Sequence, residues 1–225
     1  MIKMTTSGSE EAKQLEKIKY NFEKAYRQVN KQTNSNLNDK NNYHVSENLN
    51  NNIDNILKNI QERNPVKLRD YTPAILVDNG VKDFPMYENP AHIRKNILTD
   101  VEAQKLGLAV NSRDHYHGLG KELYIKAIDS LDNPRVIFKN NNNNEYLILT
   151  VIKDKNNNNI VVPIEIETST KVNNIKIDIN RVKTVYGYEE KNNIDLNNYI
   201  KHNIVENKFT KIYEQKKRKV RALAP

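Results

Sequence analysis

Leu15, Ile18, Phe22, Tyr26 and Val29 recur at three- and four-residue steps, which predicts one amphipathic helix over Glu10–Asn30. From Lys31 to Asn52 the chain turns to Asn, Ser, Asp and Lys with few apolar anchors, the pattern of a linker that buries too little surface to offset its ordering entropy. Ile53, Ile56, Leu57 and Ile60 then mark a second short helix, stopped before Asn64-Pro65. With one narrow stripe each, these two helices read as an appendage that docks on something else.

Denser patterning begins at Tyr71. Asn89-Pro90 is a helix start followed by Ile93 and Ile97, and Thr99-Asp100-Val101-Glu102 has capping-box spacing with Gly107 placed to end the turn. A further helix is expected from about Lys121 to Leu131, stopped by Asp132-Asn133-Pro134. The period then changes to two. Arg135–Lys139, Glu145–Asp154, Ile160–Glu167 and the stretch through Ile175, Ile177 and Ile179 read as strands, with turns at Asn140–Asn144 and Asn156–Asn159. A helix near Asp195–Val205 and a last strand near Phe209–Tyr213 complete the pattern. The expected fold class is α+β: N-terminal helices followed by a small antiparallel sheet, with residues 1–70 as an accessory helical region and residues 71–225 as the domain proper.

Composition sharpens this picture. Asn supplies 37 of 225 residues and the hydrophobic share is 37%, below the roughly 45–50% usual for globular chains. A single compact domain plus additional material, or two small domains, fits that balance. The absence of cysteine removes disulfides, thiolate metal sites and cysteine nucleophiles. Tyr146–Ile152 is the longest nearly unbroken apolar run, so no membrane span is expected, and Met1–Glu10 has no secretory core segment. The formal net charge is +8, and Lys208–Pro225 holds seven Lys/Arg against Glu214 alone, while residues 71–207 are close to neutral. A basic end beside a neutral body suits an anionic partner, nucleic acid first, although a solvated terminus has the same composition.

Two groups of residues could carry chemistry. His92, Lys95, Asn96 and Thr99 share one helical face, with His92 in the first turn where backbone N–H groups favour an anion. That face suits a phosphate, or is simply solvated. His115-Tyr116-His117 precedes the next helix; without a neighbouring ligand cluster it suits acid/base work better than metal binding. No metal site and no cofactor are expected. Thr168-Ser169-Thr170 is similar to the strand motif of ADP-ribosyltransferases, but Glu165 and Glu167 precede it, where those enzymes have their Glu pair after it.

In order along the chain, Tyr71–Leu76, Phe84-Pro85-Met86, the helix with His92 and Lys95, His117-Gly118-Leu119, Asp132-Asn133-Pro134, Asp154-Lys155, Ile179–Tyr186 and Lys211–Lys217 resemble a known family. The segment from about Ile75 to Lys219 resembles the C-terminal domain attached to phage Mu F-type head-morphogenesis proteins and related phage and polymorphic-toxin nucleases. That family is placed with barnase-, EndoU-, colicin- and RelE-like ribonucleases. The resemblance implies a metal-independent endoribonuclease toxin of bacterial or phage origin, acting in the cytoplasm of a target cell and neutralised by an immunity protein. Its acid/base candidates here are His92 and His117. Lys95 and Arg181 become phosphate contacts, Thr184 and Tyr186 orient phosphate or stack a base, and Lys216, Lys217, Arg218 and Lys219 supply RNA affinity. The competing readings are a non-catalytic RNA- or protein-binding module on the same fold and an ADP-ribosyltransferase-like effector. A fragment beginning near Val66 is expected to keep any activity.

Overall fold

The computed structural model describes residue 14 and residues 45–46, 48–111, 115–172, 175–188 and 207–215. The chain divides into two units, Met1–Asn42 and Tyr43–Pro225, and the account below concerns the second. The helix expected over Glu10–Asn30, apart from residue 14, the helix expected over Asp195–Val205, and the basic run Lys216–Lys219 lie outside the described residues.

The elements follow in the order α1 (Leu49–Lys58), β1 (Val66–Arg69), α2 (Ala74–Val77), β2 (Met86–Glu88), α3 (Pro90–Ile97), α4 (Asp100–Lys105), α5 (Lys121–Asp129), β3 (Val136–Asn140), β4 (Glu145–Lys153), β5 (Asn159–Val172), β6 (Ile175–Val182), β7 (Tyr186–Gly187) and β8 (Phe209–Glu214). α1 starts at Leu49, inside the expected linker, because its first turn is Leu-Asn-Asn-Asn and hides a buried anchor in polar company. The capping box at Thr99 and Glu102 forms in both directions, as its spacing predicts.

The fold is α+β, but the sheet is neither small nor wholly antiparallel. Among the described residues it has eight strands, ordered β1-β2-β6-β5-β4-β3-β8 with β7 added against β5. β3 to β6 form the expected antiparallel meander, whereas β2 runs parallel to β6 through Met86 and Tyr87. The sequence reading missed β1 and β2 because they span only four and three residues, too short for a period of two to register. Asn157 adopts a positive φ of 65° in the β4–β5 turn, the conformation for which Asn is suited.

Alternation along the strands buries both faces. Ile137, Tyr146, Ile148, Ile160, Val162, Ile164 and Ile166 meet the helices in the main core, and Val136, Phe138, Leu149 and Val161, at the alternate positions of their strands, form a smaller cluster. Leu49, Ile53 and Ile56 of α1 belong to the main core and are essentially fully buried. Arg94, itself buried on α3, donates to the carbonyls of Ile56 and Glu62, so it satisfies the C-terminal end of α1. The second of the two helices preceding Tyr71 is thus part of the domain's core.

This moves the start of a viable fragment. Burying three aliphatic side chains contributes about 1.5–3 kcal/mol each, a sum on the scale of the 5–15 kcal/mol that roughly defines the stability of a whole domain. A fragment beginning at Val66 should lose cooperative thermal unfolding, and one beginning at Tyr43 should keep it. Equal melting temperatures for the two fragments would show that α1 is dispensable.

Candidate functional site

The end of α3 organises the site. Its last carbonyls lack partners within the helix, and the loop His117–Gly120 supplies them. His117 N–H donates to Lys95 O at 2.8 Å, Gly118 N–H to Leu98 O at 2.8 Å, and Leu119 and Gly120 N–H to Asn96 O and Ile97 O at 3.0 Å. Gly118 has φ +61°, and a Cβ there would lie 2.9 Å from Thr99 Cγ2, so the loop can sit this close only with glycine. Four amides read by four helix carbonyls thereby fix His117 one step from Lys95.

Asn96 fixes the opposite side. Rather than joining a solvated face with His92, Lys95 and Thr99, its side chain is fully buried. Its Oδ1 accepts from Val185 N–H at 3.0 Å and its Nδ2 donates to Glu88 Oε1 at 2.7 Å. Val185 stands between Thr184 and Tyr186, so both sides of the site hang on α3.

Between them lies a cleft of about 550 Å³, lined among others by Lys95, His115, His117, Thr184, Tyr186 and Lys155. The His117 ring lies against Tyr186, with centroids 5.6 Å apart and planes tilted by 33°, and His115 meets His117 edge-on at 5.1 Å. Burial, then the charges of His115 and Lys95, lower the His117 pKa to about 4, with Asp100 opposing them weakly. His117 is consequently neutral at pH 7, with a ring nitrogen able to accept a proton.

His117, Lys95, Thr184 and Tyr186, all named from the sequence, come together in this cleft. Tyr186 also packs against the smaller hydrophobic cluster, so its packing and cleft-lining roles coexist. His92 is not among the lining residues. It sits earlier on α3, where burial, then Lys95, Lys183 and Arg181, lower its pKa, and its buried Nδ1 makes no hydrogen bond. Arg181 spends its guanidinium inside the sheet, on Glu165 Oε2 at 3.0 Å and Ser169 O at 2.9 Å. Thr168, Ser169 and Thr170 continue β5 in its hairpin with β6 and do not line the cleft.

The sequence reading missed Lys155, an exposed cation on the β4–β5 turn that faces the cleft. The turn is braced by Asp154, whose Oδ1 accepts from the backbone N–H groups of Asn156 and Asn158. It presses so closely on β7 that a Cβ at Gly187 would lie 2.1 Å from Asp154 Oδ2. In the sequence Asp154-Lys155 stands only among the residues carrying the family resemblance, and nothing in a turn followed by four asparagines assigns Lys155 to a site. His115 is visible in the His115-Tyr116-His117 pattern, from which only His117 emerges as an acid/base candidate. No three His, Asp or Glu residues among the described ones gather as metal ligands would, and no helix among them is long and apolar enough to cross a membrane.

Two cations, two imidazoles and tyrosine rings in one cleft offer charge for an anion, proton transfer and a face for a planar ring. Comparison with known proteins bears on the same region. Neither the curated proteins nor the solved structures gave a match. The matched family region begins well after Ile75 and leaves α3, with His92 and Lys95, outside it. Residues 109–219, which carry His115, His117, Lys155, Thr184 and Tyr186, match the family model of the phage MuF-C-terminal domain, and in that stretch the chain is similar to this phage domain.

Proposed function

We propose that the cleft is the active site of a metal-independent endoribonuclease, a toxin of bacterial or phage origin whose activity an immunity protein blocks. The observation that carries this reading is the neutral His117 held against Tyr186 beside Lys95 in one cleft. In the reaction, His117 takes the proton of a ribose 2′-OH and the 2′-oxygen attacks the adjacent phosphorus. The bond to the 5′-oxygen breaks, and that oxygen leaves with a proton from a second group. His115, which lines the cleft beside His117, is the nearer donor, and His92 is the alternative. Lys95 and Lys155 balance the phosphate's charge as it redistributes, and Tyr186 stacks a base of a single-stranded substrate.

A silent RNA-binding module would use the same cations and aromatic faces but would not need the imidazoles. Incubation with total RNA in EDTA separates the two. Cleavage should persist in EDTA and fall by about 100-fold or more in His117→Ala, with a comparable fall in whichever of His115→Ala and His92→Ala removes the proton donor. Wild-type rates in folded His117→Ala would end the catalytic role of that residue, and loss of activity in EDTA would end the metal-independent mechanism.

The pH profile carries the sign of the His117 shift. A base with a pKa of about 4 remains neutral as pH falls until that value, so the acid limb of kcat/KM should lie near pH 4. A bound phosphodiester offsets the Lys95 charge and moves the base upward, so the acid limb of kcat should lie above that of kcat/KM. Coincident limbs near pH 6.5 would place the proton transfer on an ordinary histidine instead.

The basic tail contributes affinity more than catalysis. Neutralising Lys216, Lys217, Arg218 and Lys219 together should weaken RNA binding and flatten its salt dependence while leaving kcat at saturating RNA intact, because these cations act by counterion release. Lys155→Ala should also lower the salt slope, by about one unit, but with a fall in kcat. Unchanged binding at low salt in the four-fold tail variant would make the tail a bystander.

A further inference from the structure

The cleft's two sides are joined beneath its floor by a buried polar chain that does not itself touch the cleft. Tyr124 Oη donates to Glu88 Oε2 at 2.5 Å, Glu88 Oε1 accepts from Asn96 Nδ2 at 2.7 Å, and Asn96 Oδ1 accepts from Val185 N–H at 3.0 Å. Tyr124, Glu88 and Asn96 are all essentially without exposure. They stand on α5, β2 and α3, and the chain ends at Val185, between Thr184 and Tyr186 at the start of β7.

The chemistry of the asparagine gives this chain a direction. An amide presents a donor at one end and an acceptor at the other. Glu88 holds the Nδ2 end, which leaves Oδ1 aimed at the Val185 N–H and excludes the flipped rotamer, in which two donors would face each other. The backbone carbonyl of the same Asn96 accepts from Leu119 N–H on the opposite side. A single buried residue therefore sets the distance between the loop of His117 and the loop of Tyr186.

We propose that Asn96, oriented by Glu88 and Tyr124, is the positioning residue of the cleft, setting Thr184 and Tyr186 against His117 and Lys95 in the geometry that cleavage requires. This rests on the ribonuclease reading for its kinetic consequence but not for its structural one. Burial, opposed only in part by the hydrogen bonds from Tyr124 and Asn96, lifts the Glu88 carboxyl well above the usual carboxylate range. The neutral carboxamide of Glu88→Gln keeps the acceptor that orients Asn96, while its NH2 donates to the Tyr124 hydroxyl, which turns from donor to acceptor.

The test uses the full chain and two readouts, taken well below each variant's melting temperature. Asn96→Ala and Glu88→Leu should lower kcat at saturating RNA by about 10-fold or more, the scale that follows from displacing a reacting group by a fraction of an ångström to an ångström. Binding of an RNA with 2′-deoxyribose at the cleaved position should stay within about 3-fold, since the cations that dominate affinity are untouched. Glu88→Gln should restore kcat to within about 2-fold of wild type, because the acceptor that orients Asn96 is kept. Tyr124→Phe removes only a hydroxyl and reads the same coupling more mildly, in a chain that keeps its core ring. Independently of RNA, hydrogen exchange at the Val185 amide should be slow in wild type and Glu88→Gln and fast in Asn96→Ala and Glu88→Leu. A slow Val185 amide or a wild-type kcat in folded Asn96→Ala would overturn the positioning role. Absence of RNA cleavage by the wild-type chain, with Val185 exchange behaving as stated, would overturn the ribonuclease reading and leave the coupling in place.

Discussion

The last turn of α3 must find partners for carbonyls that its own helix cannot supply, and much of the candidate site follows from how it does so. Four successive amides of the loop 117–120 meet the carbonyls of residues 95–98. Each such bond contributes only about 1 kcal/mol net, but leaving a buried carbonyl unpaired costs about 1–3 kcal/mol, so the loop cannot drift without a penalty at several positions. His117 inherits that rigidity. It stands at the first of the four amides, held beside Lys95, and its ring is pressed toward Tyr186.

The same crowding sets the electrostatics. His117 is partly withdrawn from water and faces His115 and Lys95, and all three effects disfavour its protonated form. Burial is the largest of these effects, and the part that comes from His115 and Lys95 is one an anion would relieve. Lys95 from a helix and Lys155 from a braced turn line the cleft, while Arg181 and Lys183 lie outside its lining and bridge to Glu165 and Glu145. Which cations line the cleft is not visible from charge counts, because it depends on how the fold places each residue.

Sequence alone made the long elements legible: Ile93 and Ile97 marked α3, the Thr99–Glu102 spacing marked α4, and alternation in Glu145–Asp154 and Ile160–Glu167 marked β4 and β5. It placed α1 imperfectly and missed β1 and β2, since three or four residues carry no readable period. It also put Asn96 on a polar face with His92, when tertiary contacts had claimed it for the interior. Helical spacing says which residues share a side; it does not say which side is covered. For the site, the histidines and Lys95 could be named because their types and helical spacing suit phosphate chemistry, and Thr184 and Tyr186 came with the family resemblance. Lys155 and the Glu88–Tyr124 pair could not, because only the fold brings a turn lysine to the cleft and a carboxyl to the buried amide.

The central claim is that this cleft performs transesterification at a ribose. It is tested most directly by phosphorus NMR of the products formed from a short single-stranded RNA in EDTA. The account predicts a resonance of a 2′,3′-cyclic phosphate paired with a free 5′-hydroxyl end, absent when the scissile ribose is 2′-deoxy. Products bearing a 5′-phosphate, or cleavage of the 2′-deoxy substrate at the same rate, would contradict it.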